Sequence, residues 1–110
     1  METRERRKHV RLPWSFPVSL RKEGLEDVRE GTSVNISQMG AFIRTESWSL
    51  FQVQDQTAVI WNLPREFTGQ SMIIRLQGEA VIRRVDRELG GIAVEFLKSL
   101  RAFQRVDGES

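Results

Sequence analysis

Apolar residues recur at every second position along most of this chain, and that period constrains its fold more than any other feature. Phe16, Val18 and Leu20 alternate with Pro17, Ser19 and Arg21, the pattern of a half-buried strand. Val28 to Ile36 reads as a second strand. Val34 and Ile36 are expected on one face, and Asn35 and Ser37 on the other. Gly40 breaks the run and Ala41 to Thr45 resumes it. Thr57 to Leu63 is a short apolar run consistent with a strand buried on both faces, and Pro64 ends it. Ser71 to Val85 is a longer strand, in which Gly78 marks a bulge or a bend. After the Gly90-Gly91 turn, Ile92, Val94 and Phe96 alternate again.

Only the tail changes period. Leu97, Leu100, Phe103 and Val106 recur every third residue, which predicts a short C-terminal helix whose apolar stripe covers a barrel opening. Short strands separated by turn residues favour a closed or nearly closed antiparallel β-barrel, which also removes exposed strand edges. The fold class is therefore mainly all-β. With 110 residues the chain suits a single domain. Residues 1–12 are expected to form a flexible basic arm, and residues 13–110 the barrel with its short helix.

Composition excludes several functions. There is no cysteine, so neither disulfides nor thiolate metal sites can form. The single histidine, His9, has mostly arginine and lysine for neighbours and cannot build a metal cluster. No catalytic set is visible: cysteine and tyrosine are both missing, and His9 has no orienting carboxylate nearby. No metal or cofactor is expected, and the chain is not expected to be an enzyme. No apolar run is long enough to span a bilayer, and the charged start leads into no signal-peptide core. A cytoplasmic location without membrane insertion is the expectation.

Charge is unevenly distributed. The formal net charge is only +2, yet between Arg4 and Arg11 lie Arg4, Arg6, Arg7, Lys8 and Arg11, opposed only by Glu5. Such a cluster attracts phosphates or anionic surfaces, although a solvated tail has the same composition. Arg7 and Arg11 are spaced to share a side in a strand or a helix, and Pro13 favours extended geometry at Leu12. A second polar group is Asn35-Ile36-Ser37-Gln38-Met39-Gly40. Gly40 there permits a turn with positive φ. Asn35 and Ser37 are also ordinary turn formers, and Gly40 alone would serve a strand turn.

Taken together, these segments resemble the PilZ domain family. Its signature is an RxxxR loop followed, a few tens of residues later, by (D/N)xSxxG on a strand. Here the first is Arg7 to Arg11, extended to RRxxxR by Arg6, and the second is Asn35 to Gly40. Gly78 to Arg83 and Gly91 to Phe96 are similar to the family's last two strands, so the resemblance covers nearly the whole chain.

The resemblance implies a six-stranded antiparallel barrel that binds the bacterial second messenger cyclic di-GMP on its outside and signals to a partner protein. The ligand-binding residues it implies are Arg6, Arg7, Arg11, Asn35, Ser37 and Gly40. Arginine forms paired hydrogen bonds to guanine O6 and N7, grips phosphate and stacks on purines. Asn35 offers a donor and an acceptor, where many relatives carry aspartate. Ser37 either bonds a guanine edge or fixes the turn, and Gly40 allows close approach to the backbone. The residue before RxxxR influences ligand number in the family. Arg6 there points to an intercalated cyclic di-GMP pair.

Arg83 and Arg84 alternate on a strand, so one is expected to face outward, towards the ligand. Trp14, Trp48 and Trp61 are expected in core or rim packing. Two other readings remain open. One is a basic nucleic-acid-binding barrel, disfavoured because the strands lack interleaved exposed aromatics and lysines. The other is an adaptor of the same fold that binds protein without a ligand.

Overall fold

The computed structural model describes residues 15–22, 24, 27–63, 69 and 74–106. Seven strands follow one another: β1 (Phe16–Lys22), β2 (Arg29–Ile36), β3 (Gly40–Arg44), β4 (Gln56–Leu63), β5 (Ile74–Asp86), β6 (Gly91–Phe96) and the two-residue β7 (Gln104–Arg105). Six of them close a barrel in the order β1-β2-β3-β6-β5-β4, with β4 returning to β1. Every pairing is antiparallel. Closure pairs the strand edges that an open sheet of this size would expose.

The alternating residues fill the interior as expected. Val18, Leu20, Ile43, Val59, Ile82 and Ile92 are fully buried, with Trp61 nearly so. Thr57, Ala58 and Val59 are consecutive and all buried, in keeping with an apolar run covered on both faces. Phe51, in the connection between β3 and β4, belongs to the same core. That connection is tied down by hydrogen bonds from Gln54 N to Ile82 O (2.8 Å) and from Ile82 N to Asp55 O (2.8 Å). Trp48 packs against the core from a single 3-10 turn, Trp48–Leu50. Trp14 and the basic arm, residues 1–12, lie outside the described residues.

Three expectations are corrected. Among the described residues the tail forms no α-helix: Leu100–Ala102 is one 3-10 turn, and the chain then extends into β7, which pairs with β5. A three-residue apolar repeat suits a 3-10 turn, whose side chains eclipse at that spacing. Only Leu100 and Phe103 pack on the core, whereas Leu97 and Val106 are exposed. Phe103 closes this end, with its ring centroid 5.3 Å from Trp61 and 4.9 Å from Phe96.

Gly78, secondly, marks no bulge. It pairs in unbroken register with Val59, and a Cβ there would collide with the Phe103 ring. The glycine is the floor on which that ring lies.

The third correction concerns β2. Ser33 and Ile36 are the buried residues, not Val34 and Ile36. The register against β3 shifts between Ser33 and Asn35, leaving Val34 as the extra residue of a bulge. Ser33 sits inside, its hydroxyl within 3.3 Å of Phe16 N and 3.4 Å of Phe16 O.

Candidate ligand groove

The bulge at Val34 determines what β2 presents to the outside. Two successive residues, Val34 and Asn35, are turned towards the outer face, and both line one groove. Just beyond, the chain reverses at residues 37–40. Ser37 holds that reversal: its amide donates to Gly40 O (2.9 Å), its hydroxyl donates to the same oxygen (3.3 Å) and accepts from Met39 N (3.3 Å). Of the two roles open to Ser37, turn fixation is therefore present in the free protein.

Gly40 does not have the positive φ that its place in the motif suggested; among the described residues the glycines that do are Gly24, Gly69 and Gly90. It is the first residue of β3, opposite Glu95 of β6. A Cβ there would stand 2.5 Å from Val94 O. Gly40 is thus demanded by close approach of the neighbouring strand.

From Asn35 a single row crosses four strands. Asn35 pairs with Phe42, Phe42 with Ala93, and Ala93 with Arg84. The Phe42 ring lies against the backbone at Gly91, where a Cβ would come within 2.8 Å of it. A second bulge, in β5, lies at the far end of the row: register shifts between Ile82 and Arg84, with Arg83 as the extra residue. Arg83 and Arg84 are consequently both exposed, instead of alternating between inside and outside.

Their partners differ. Arg83 is held by Glu95 (Nε to Oε1, 2.7 Å) and by Gln54 (Nη1 to Oε1, 2.9 Å). Arg84 reaches over the Phe42 ring, 5.8 Å from its centroid, and makes only a 3.6 Å ion pair with Asp86.

The groove holds about 490 Å³, within the range of about 300–1,000 Å³ typical of small-molecule sites. Asn35, Ser37 and Gly40 line one side, Phe42 and Ala93 the floor, and Arg44 and Arg84 supply positive charge. The Asn35 side chain is half-buried and forms no hydrogen bond to a described residue. Among the described residues, no group of three or more His, Cys, Asp or Glu could hold a metal.

A family model for the PilZ domain matches residues 5–106. The chain belongs to the PilZ domain family. Among solved structures it is similar to the Bacillus subtilis inhibitor of motility MotI/DgrA, with 23% identity and a TM-score of 0.65. That likeness covers 84% of this chain and 43% of the other, so the present chain spans less than half of its neighbour, and what they share is the fold. No curated protein matches the chain.

Of the residues implied by the PilZ signature, the structure gathers Asn35, Ser37 and Gly40 in one groove. Arg6, Arg7 and Arg11 lie inside the family match but outside the described residues. Sequence reasoning passed over Phe42 and Arg44. Both were within reach, since alternation from Gly40 along β3 places Gly40, Phe42 and Arg44 on one face, opposite the buried Ile43.

Proposed function

We propose that this PilZ domain is a receptor for cyclic di-GMP, bound on the outer face of the barrel, that passes the signal to a partner protein without chemistry on the ligand. The observation that supports this most is the groove itself. It combines an Asn35 amide that forms no hydrogen bond to a described residue, an aromatic floor and two guanidinium groups. The RRxxxR segment, supplied from outside the described residues, adds three more arginines to the same sequence signature. Guanine needs donors at O6 and N7 and an acceptor at its amino edge, and the two phosphates need cations. An adaptor role accords with the fold shared with a motility inhibitor.

Calorimetry with cyclic di-GMP, alongside GTP, cyclic di-AMP and a single-stranded oligonucleotide, tests the reading. Micromolar or tighter binding of cyclic di-GMP alone is expected. Arg7→Ala and Arg11→Ala should each cost at least about 1.5–3 kcal/mol, the worth of a hydrogen bond to a charged group. Absence of binding by the wild type, or unchanged binding in both variants, refutes the proposal. Preference for the oligonucleotide would favour the nucleic-acid reading instead.

A further inference from the structure

Arg83 and Arg84 are adjacent arginines on one bulge, and their surroundings assign them different tasks. Arg83 has two short polar contacts that tie it to Glu95 and Gln54. Arg84 has two weak ones. Its distance of 5.8 Å from the Phe42 centroid is near the outer limit of about 6 Å for cation–π attraction. Its 3.6 Å pair with Asp86 is solvent-exposed on the arginine side, the kind of ion pair that contributes little. Arg84 can therefore exchange both contacts for a ligand at small cost.

We infer that Arg84 is a specificity-determining residue of the groove: it reads the O6/N7 edge of a guanine whose face rests on Phe42. This rests on the cyclic di-GMP reading above and names a residue outside the PilZ signature. The cross-strand row places this residue. Asn35 and Arg84 stand at its two ends, three inter-strand steps of about 4.8 Å apart, or about 14 Å between backbones. Between them lie only Phe42 and Ala93. The small Ala93 side chain lets Arg84 reach back over Phe42, as it already does in the free protein.

A base lying flat on that floor has its edges directed at the two ends. Guanine carries N–H donors on its amino edge, which suit the side-chain carbonyl of Asn35, and two acceptors at O6 and N7, which suit a guanidinium. Adenine offers an amino donor where O6 would be and opposes a group that can only donate.

The test uses cyclic di-GMP and its analogue with 7-deazaguanine, which lacks only the N7 acceptor. Both are titrated into wild type, Arg84→Met and Arg83→Met, each first checked for folding by circular dichroism. Wild type should bind the analogue about tenfold more weakly, within the discrimination expected of a bidentate guanine contact. Arg84→Met should lose a similar factor for cyclic di-GMP and bind the two ligands alike. Arg83→Met should behave as wild type. An analogue penalty that persists in Arg84→Met, no penalty in wild type, or an Arg84→Met affinity within about twofold of wild type would overturn the inference while leaving the receptor reading intact. Failure of wild type to bind cyclic di-GMP at all overturns both.

Discussion

Gly40 is the motif residue whose role the structure changes most, and Gly40→Ala separates the two explanations for it. If the glycine only made room for a ligand, alanine would weaken binding and leave the free protein as stable as before. The geometry demands otherwise. The new Cβ would stand 2.5 Å from the carbonyl oxygen of Val94, where 3.4 Å is the near edge of ordinary contact. The obstacle is backbone on a central pair of strands, so no side-chain rotation relieves it. Strand β3 must move away from β6 at Gly40.

Backbone hydrogen bonds hold the chain there, among them Phe96 N to Met39 O (2.8 Å) and Ser37 N to Gly40 O (2.9 Å). Overpacking of this kind costs about 1–3 kcal/mol, and a weakened backbone hydrogen bond adds about 0.5–1.5 kcal/mol. The expected loss is about 1.5–4.5 kcal/mol, which lowers the melting temperature by about 6–18 °C at roughly 4 °C per kcal/mol for a domain of this size. Thermal melts followed by circular dichroism, without ligand, measure it. Cyclic di-GMP titration of the same variant should also show weaker binding, because the turn that positions Ser37 next to Asn35 shifts with Gly40. A ligand-free melting temperature within about 2 °C of wild type would refute the steric argument.

Three further outcomes are expected. Gly78→Ala should destabilise by about 1–3 kcal/mol in urea, by driving Phe103 off Trp61 and Phe96; in a Phe103→Ala background the cost should largely vanish, and equal costs in both backgrounds would show the two residues to be uncoupled. Ser37→Ala should lose about 0.5–1.5 kcal/mol of stability even without ligand, since its hydroxyl serves the 37–40 reversal; no change in the urea midpoint would remove that role. Arg6→Leu should shift native mass spectra from two bound cyclic di-GMP molecules per chain towards one, because an intercalated pair gathers four phosphates that need the extra cation; a wild type that saturates with one ligand contradicts this.

The closed barrel was legible in the sequence because the inward residues on β1 and β6 are apolar and keep period two, while β4 reads as a short run buried on both faces. The tail was less legible. A repeat of three in four apolar residues does not distinguish a helix from one 3-10 turn followed by extended chain, and what settles it is tertiary: Gly78 leaves a gap that the Phe103 ring fills. The placement of Asn35 and Ser37 on one outward face was also readable, although the parity of the whole strand was not. On the first half of β2 the inward residues are Gly31 and Ser33, neither of them apolar. Alternation is silent there, and a reading extended backwards from Ile36 runs through the bulge unnoticed.

On β5 the break was visible in principle. Ala80, Ile82 and Val85 all pack in or against the core, and the odd step from Ile82 to Val85 is possible for a strand only if one residue is extra. That step is the signal that both Arg83 and Arg84 face outward. The two bulges bracket one row of the outer face, Val34 beside Asn35 at one end and Arg83 beside Arg84 at the other. Each changes the parity of its strand, so inward residues resume beyond the bulge while one additional side chain is directed outward at it. The same two departures from period two that obscure the pattern in the sequence are therefore what furnish the groove. A regular strand could present Asn35 or Arg84 to the outside, but only by forfeiting an inward residue elsewhere along it.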